Sequence, residues 1–466
     1  HAAAAFVLAL AACASLDPGA DRQDMRDDLA QRLRTKLPDT PAGDLDPTIN
    51  DVVANLLQTP LTEDSAVHIA LLNNHSVRAA YERLGIARAD LVQAGLLRNP
   101  VFDGDARFLF GGGTDLELGL AQPFLDLFYR PLRERLAEHE FTAARLLVTD
   151  DLVHLVFSVR RAFVQLRSAQ QLVELHQRAL VAAEAAHELA VELHAAGNLT
   201  SQALARERIG ETRMRLDLAA AEQAAHEAHE PLHDLLGLWG PHTAWTIEGG
   251  LSDDVLASVD TNDIEARAVA ASLELAAQRA RLDGMAQHAK IESWRGWFPS
   301  GEAGLTALRE PDGDWGLGPH LALELPVFDG GDSRQAKAAA SLRQGLHEHV
   351  QLAVRVRSAA RLLRDRARQL ADRARFLREV HLPQRAEVVR TTLQHYNAMQ
   401  IGIFDVLLEK QQQLADGREY VLTLRLAHLA RLDLQTLLAG SLPADALQPM
   451  QPSTSYAPAD SRKPGH

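Results

Sequence analysis

The chain has 466 residues, enough for two or three ordinary domains, and a formal charge of −14 with histidine neutral. Such acidity argues against a nucleic-acid partner. Aromatic residues are only 5 % of the chain, while Ala, Leu and Arg abound, as in long coiled helices rather than a compact enzyme.

Cys13 is the single cysteine, so no intramolecular disulfide can form. It ends the apolar run Ala2–Ala12, which is too short to span a bilayer and has the character of a secretory h-region. The chain begins at His1, so a basic n-region is expected ahead of it. No later stretch is apolar for the roughly eighteen residues a membrane helix needs. From residue 14 to 61 the chain is polar and punctuated by Pro18, Pro38, Pro41, Pro47 and Pro60, which predicts an extended N-terminal segment with little helix.

Helical spacing begins at Thr62-Glu-Asp-Ser65 and runs through Ile69, Leu72, Val77, Ala80, Leu84, Ala87 and Leu91 to the stop at Asn99-Pro100. The period then changes to two. Phe102, Ala106, Phe108 and Phe110 alternate with Asp103, Asp105 and Arg107. After Gly111-Gly-Gly-Thr114, Leu116, Leu118 and Leu120 alternate with Asp115, Glu117 and Gly119. These are two strands with one apolar and one charged face, each long enough to cross a bilayer when tilted.

The stretch Leu132–Glu230 lacks proline and is built from strong helix formers. Leu152, Leu155, Val159, Ala162, Leu166, Ala169, Val173, His176 and Leu180 form a heptad seam interrupted only by His176. Gly197 and Asn198 break the run and predict a helix hairpin of great length. Past a connecting loop (241–262) the order repeats: a helix from Asp263 to Trp294, two strands around Pro311-Asp-Gly313, and a second hairpin with a seam at Leu352, Val356, Ala359, Leu363, Leu370 and Leu377. Pro383 is expected to kink that hairpin. Pro123 matches Pro326, Gly197 and Leu199 match Met399 and Ile401, and Leu236 matches Leu438, all at an offset of roughly 200 residues. The chain is therefore two repeats, 62–240 and 263–440, followed by a tail (441–466) expected to be disordered.

Four strands cannot close a barrel, and an open edge in hydrocarbon leaves unpaired N–H and C=O groups. Three chains would supply twelve strands, with Asp103, Asp105 and Arg107 lining a wet lumen. The expected fold is mainly α with a small β part, assembled as a trimeric twelve-strand transmembrane barrel continued by a coiled helical barrel.

Leu325-Pro-Val-Phe-Asp-Gly-Gly331 is similar to the strand-to-helix signature of the TolC-like outer-membrane channels, and Gln122-Pro-Phe-Leu-Asp126 is its degenerate counterpart. Ala196-Gly197-Asn-Leu-Thr200 and Leu235-Leu-Gly237 resemble that family's hairpin tip and repeat end. Leu10-Ala11-Ala12-Cys13 resembles a bacterial lipobox, the alternative being an ordinary signal peptide. The resemblance implies a homotrimeric lipoprotein duct of the outer membrane, with covalent lipid on Cys13 and no other cofactor. It implies partners too: a periplasmic membrane-fusion adaptor and an inner-membrane efflux pump, with small molecules or metal ions as cargo. The chain departs from the family at His75, where proline is frequent, and at Met399, where a tip glycine is usual. Ile403-Phe-Asp-Val-Leu407 is similar to the segment whose aspartates ring the periplasmic aperture, which makes Asp405 a candidate gate; a solvated helix aspartate is the alternative. The tips themselves are Gly197 with Asn198, and Met399 with Gln400.

Some strings in the chain resemble enzyme or ligand sites. His229-Glu-Pro-Leu-His233 fits the zinc-protease pattern, but Pro231 lies inside it and no third ligand stands out. Nine arginines between Arg355 and Arg378 read as a solvated coiled-coil face, and His187, His194, His226, His347 and His349 as surface histidines. No metal site and no catalytic set is expected. The other function class is a periplasmic coiled-coil scaffold or adaptor without a pore, which would have no use for the alternating strands.

Overall fold

The computed structural model describes residues 19–33, 47–108, 110, 114–256, 262–310 and 312–448. Cys13 and the lipobox lie outside them.

Two helices open the described chain, α1 (Gly19–Leu33) and α2 (Pro47–Leu56). The expectation of an extended segment with little helix is corrected here. Of the prolines that suggested it, Pro47 is the first helical residue of α2, where a missing N–H is harmless, and Pro60 lies past the end of that helix; Pro18, Pro38 and Pro41 lie outside the described residues. α1 buries the narrow row Met25, Leu29 and Leu33, too sparse to stand out in so polar a sequence.

In the first repeat α3 (Glu63–Asn73) and α4 (His75–Gly95) replace the single helix expected. Thr62 and Ser65 form a capping box on α3, and the Asn74 side chain accepts from the Ser76 N–H to start α4. His75 is thus the first residue of a helix. Strands β1 (Val101–Phe108) and β2 (Thr114–Pro123) follow, then α5 (Asp126–Ala195) and α6 (Ser201–Leu236). With 70 residues, α5 is roughly 105 Å long.

The second repeat has α7 (Ile264–Ala271), α8 (Leu273–Arg295), β3 (Gly301–Arg309), β4 (Trp315–Leu323), α9 (Asp332–Phe376), a π turn (Leu377–His381), α10 (Leu382–Asn397) and α11 (Ile403–Ala439). Again the single helix expected is two, broken at Ser272, whose hydroxyl caps α8. The π turn precedes Pro383. Proline offers no N–H to the carbonyl four residues back, and the widened turn closes with the Leu382 N–H on the Leu377 carbonyl.

α5 is the spine, packing along α4, α6, α8 and α11. Its seam is buried as expected at Leu152, Val159, Ala162 and Leu166. Nearer the tip the buried row moves to Ala179, Ala183, Ala186 and Ala190. A strict heptad drifts about 20° per repeat around a straight helix, so a long limb cannot keep one seam inward. In the second hairpin Val356, Ala359, Leu363 and Leu377 are buried, with Ala367 and Ala374 completing the row.

The main core gathers α1 to α5 with the end of α6, and a second cluster joins α7, α8, α9 and α11. The connecting loop is docked: Trp245 and Val255 are buried, and Leu61 bridges to Ile247. The start of the expected disordered tail is ordered too, since Ser441 and Ala446 are buried and Arg366 donates to the Gln448 carbonyl at 2.8 Å. Residues 449–466 lie outside the described chain.

Candidate functional site

The four strands form one antiparallel sheet in the order β1-β2-β3-β4, which leaves β1 and β4 as edges. The register decides what each face carries. Phe102 lies opposite Leu120 and Ala106 opposite Leu116; Leu118 and Leu120 lie opposite Ala307 and Leu305; Ala307 and Ala303 lie opposite Leu317 and Leu321. These apolar rows fall on one face, whose ends are bare: Phe108 is 80 % exposed and Leu317 75 %; Val101 and Leu308, near strand ends, are apolar members of the other face. Arg309, Thr114 and Gln122 are the polar members of the apolar face, all at strand ends.

The expected lumen residues Asp103, Asp105 and Arg107 share the other face with Asp115, Glu117, Glu302, Thr306 and His320. Asp105 sits opposite Glu117 in the register, and the Arg107 Nε lies 3.5 Å from its Oδ1. Small residues make room on this face. A Cβ on Gly119 would lie 2.5 Å from the Asp103 carboxylate, and one on Gly304 would lie 2.2 Å from the Leu120 carbonyl oxygen.

Exposed aromatic side chains flank the sheet. Phe108, Phe110 and Trp315 lie at the turn ends of their strands, and Trp297, Phe298 and Phe328 where strands meet helices. Those junctions explain the paired signatures. Asp126 is buried, accepts from the Arg98 N–H at 3.1 Å and pairs with Arg133 at 2.6 Å. Its duplicate Asp329 accepts from the Gly331 N–H at 2.8 Å and pairs with Arg334. The motif showed the aspartates, but their partners, seven and five residues on, carry no signal of their own.

The two tips share one backbone geometry. Gly197 has φ 76° and Met399 φ 59°, both left-handed, and the Asn198 and Gln400 N–H groups donate to the Leu193 and His395 carbonyls at 2.8 and 3.0 Å. Met399 therefore does the glycine's job at a steric cost. The helices leaving the tips start differently. Thr200 Oγ1 accepts from the Ala203 N–H at 3.2 Å, whereas Gly402 has no side chain and the Asp405 carboxylate reaches back to its N–H at 3.0 Å. Asp405 is exposed on the first turn of α11 and caps that helix, a role the sequence had not suggested. Glu409 binds Arg385 at 2.9 Å, and Arg385 also holds Asp416 at 2.6 Å, clamping α10 to α11.

The remaining candidates take structural places. His229 and His233 pack on Trp245 with ring centroids 4.9 and 5.3 Å away, and burial pushes the His229 pKa down. His176, the polar break in the seam, lines a cleft between the hairpins of about 1100 Å³ beside Arg418 and Asp217; burial, then Arg418, lowers its pKa. Much of the arginine run is spent locally, Arg361 on Glu265, Arg373 on Glu419 and Arg378 on Asp253. Among the described residues no three His, Cys, Asp or Glu side chains converge as a metal site, and no helix is long and apolar enough to cross a membrane.

No protein-family description and no curated protein matches the sequence. Solved structures do match. A structure of CusC, from work on folding and transmembrane channel formation, is 16 % identical with a TM-score of 0.65 and covers 87 % of this chain and 98 % of that one. VceC, an outer membrane protein of Vibrio cholerae, is 17 % identical with a TM-score of 0.67 over 82 % and 96 % of the two chains. The open state of the MtrE outer membrane channel of Neisseria gonorrhoeae is 16 % identical with a TM-score of 0.64 over 82 % and 89 %. At such identities the likeness speaks for architecture, and the chain has the fold of the TolC-like outer-membrane channels.

Proposed function

We propose that three copies of this chain form a passive outer-membrane exit duct. The carrying observation is the sheet, apolar on one face, polar on the other and open at β1 and β4. In that order β4 runs antiparallel to β1, so the β4 edge of one copy can pair with the β1 edge of the next. Three sheets then close into twelve strands without a free edge. The apolar face meets lipid, the exposed aromatic rows lie at the two interfaces, and Asp103, Asp105 and Arg107 border the water-filled lumen. The helices continue this barrel into the periplasm, where an adaptor and an inner-membrane pump engage the tips of a tripartite efflux system. Small molecules or metal ions are the cargo, lipid on Cys13 adds an anchor, and the ring of three Asp405 carboxylates guards the periplasmic end. The outer-membrane channels that share the fold support this reading.

The test is light scattering of the detergent-extracted protein together with planar-bilayer conductance. A particle of three chains with stepwise conductance is expected. A monomer, or a trimer that never conducts, would leave the scaffold reading standing.

A further inference from the structure

The two repeats end at equivalent junctions that are closed by different means. In the first, the α3–α4 break meets the C-terminus of α6. Asn73 Nδ2 donates to the Leu236 and Gly237 carbonyls at 3.0 and 2.7 Å, and Asn74 Nδ2 to the Leu235 carbonyl at 2.8 Å. Gly237 is left-handed, and a Cβ on it would lie 3.1 Å from the Asn73 carbonyl. The terminal carbonyls of α6 thus find partners inside their own repeat.

The second repeat builds the same corner. The α7–α8 break at Ala271-Ser272 meets the C-terminus of α11, Gly440 is left-handed, and a Cβ on it would lie 2.4 Å from the Ala271 carbonyl. Ala271 and Ser272 carry no side-chain amide, however. The missing donor comes from the far end of the chain. Arg32 Nη1 donates to the Ala271 carbonyl at 3.0 Å and the Ala439 carbonyl at 3.2 Å, while its Nε is held by Asp28 at 2.9 Å. α1, which carries Arg32, is seated at its other end on the first repeat, with Arg22 on Glu82 at 3.3 Å and above the Tyr81 ring. Met25 and Leu29 are buried between these two attachments, and Leu33 just past the second.

We propose that α1 is a latch that closes the second repeat, with Arg32 supplying from outside the hydrogen bonds that Asn73 and Asn74 supply inside the first. The first hairpin is rooted as soon as its own repeat folds. The second has one such tie of its own, the Leu273 N–H on the Gly440 carbonyl at 2.9 Å, and its root is completed only when α1 docks, because until then the carbonyls of Ala271 and Ala439 lack the Arg32 donor. Loss of the Arg32 contacts would therefore loosen the second hairpin's root, while the first hairpin's root keeps its own donors in Asn73 and Asn74. The inference goes beyond the duct reading and does not depend on it.

Hydrogen exchange on the full chain, extracted in detergent, tests this directly. Arg32→Ala should speed exchange of the Leu273, Gly440 and Ser441 amides about tenfold or more, the loss expected for a charged donor, and leave the Gly237 and Leu238 amides unchanged. Ala271→Asn, which gives the second repeat the first repeat's own donor, should restore protection in the Arg32→Ala background. Equal loosening of both junctions, no loosening of either, or failure of Ala271→Asn to restore protection would each overturn the latch. If Arg32→Ala does not accumulate, recovery of folded protein in the double variant supports the proposal, and its failure to accumulate as well refutes it.

Discussion

Leu305 is the most direct test of which face meets lipid. It is the fifth of nine residues in β3, so about 13 Å of strand lies on either side of it, and it is 55 % exposed. Its neighbours in the register are Leu120 and Pro319, both apolar. An arginine there would enter hydrocarbon near the bilayer midplane at a cost of ~2–4 kcal/mol per copy. Threefold repetition makes that roughly 6–12 kcal/mol per assembly, comparable to the whole net stability of an ordinary domain. Thr306, one residue on, faces Gly119 and Gly318 on the polar side, where an arginine has room and water. Leu305→Arg should therefore deplete the membrane-extracted trimer strongly, whereas Thr306→Arg should assemble normally and shift only ion selectivity. The readout is the trimer fraction by light scattering after extraction, with single-channel reversal potentials for whatever assembles. Equal yields from the two variants would refute the assignment of faces.

Asp150 gives a pH test. Burial, reinforced by Glu274 and Asp151 and opposed by the Ser441 hydroxyl and Arg32, pushes its pKa from 3.8 up to about 6, and its Oδ1 has no hydrogen-bond partner. A raised carboxyl pKa favours the protonated fold, so this contribution is fully present below pH 3.8 and is lost as pH rises through about 6. Asp150→Asn should remove that loss, gaining about 1–3 kcal/mol at pH 8 and little at pH 4; parallel melting temperatures from pH 4 to 8 would contradict it. At the tip, Asp405→Asn should keep the Gly402 cap but abolish divalent-cation block of the channel, whereas Asp405→Ala should lose both, as read from current block and exchange of the Gly402 amide. Met399 is 94 % exposed at φ 59°, so Met399→Gly removes strain without removing packing; slower exchange at the tip, worth up to ~1 kcal/mol, is expected, and faster exchange would count against it.

Periodicity carried most of the fold into the sequence. The period-two stretches at Phe102–Phe108 and Leu116–Leu120 are strands with the faces expected of them, and the heptad residues from Leu152 to Leu166 are buried or half-buried. What periodicity missed has a physical pattern. α1 buries three large apolar residues among many charges, and a stripe that narrow is invisible without its partner surface. The breaks at Asn74 and Ser272 fall in unbroken helical spacing, because a cap needs one hydrogen bond and need not disturb the apolar rows on either side. Alternation placed Asp103, Asp105 and Arg107 together on one face, and the register does the same. The contacts that periodicity could not show lie at the junctions, where Asp126 needs Arg133, and at the tip, where Asp405 caps its own helix.

The duplication shows why so little sequence survives among proteins of this fold. Each landmark imposes one physical requirement, and the two halves of the chain meet it with different residues. A left-handed residue must turn the tip, and Gly197 or Met399 provides it. An acceptor must close the start of the helix that follows, and Thr200 does so from the cap while Asp405 does so from within the first turn. A cation must hold the aspartate after the strands, whether Arg133 or Arg334. A donor must cover the carbonyls at the repeat end, and it is an asparagine of the same repeat in one case and an arginine from outside the repeat in the other. Since the backbone constrains what must be satisfied rather than which side chain satisfies it, identity can fall to 16 % while 87 % of the chain still superposes on a channel of the same fold.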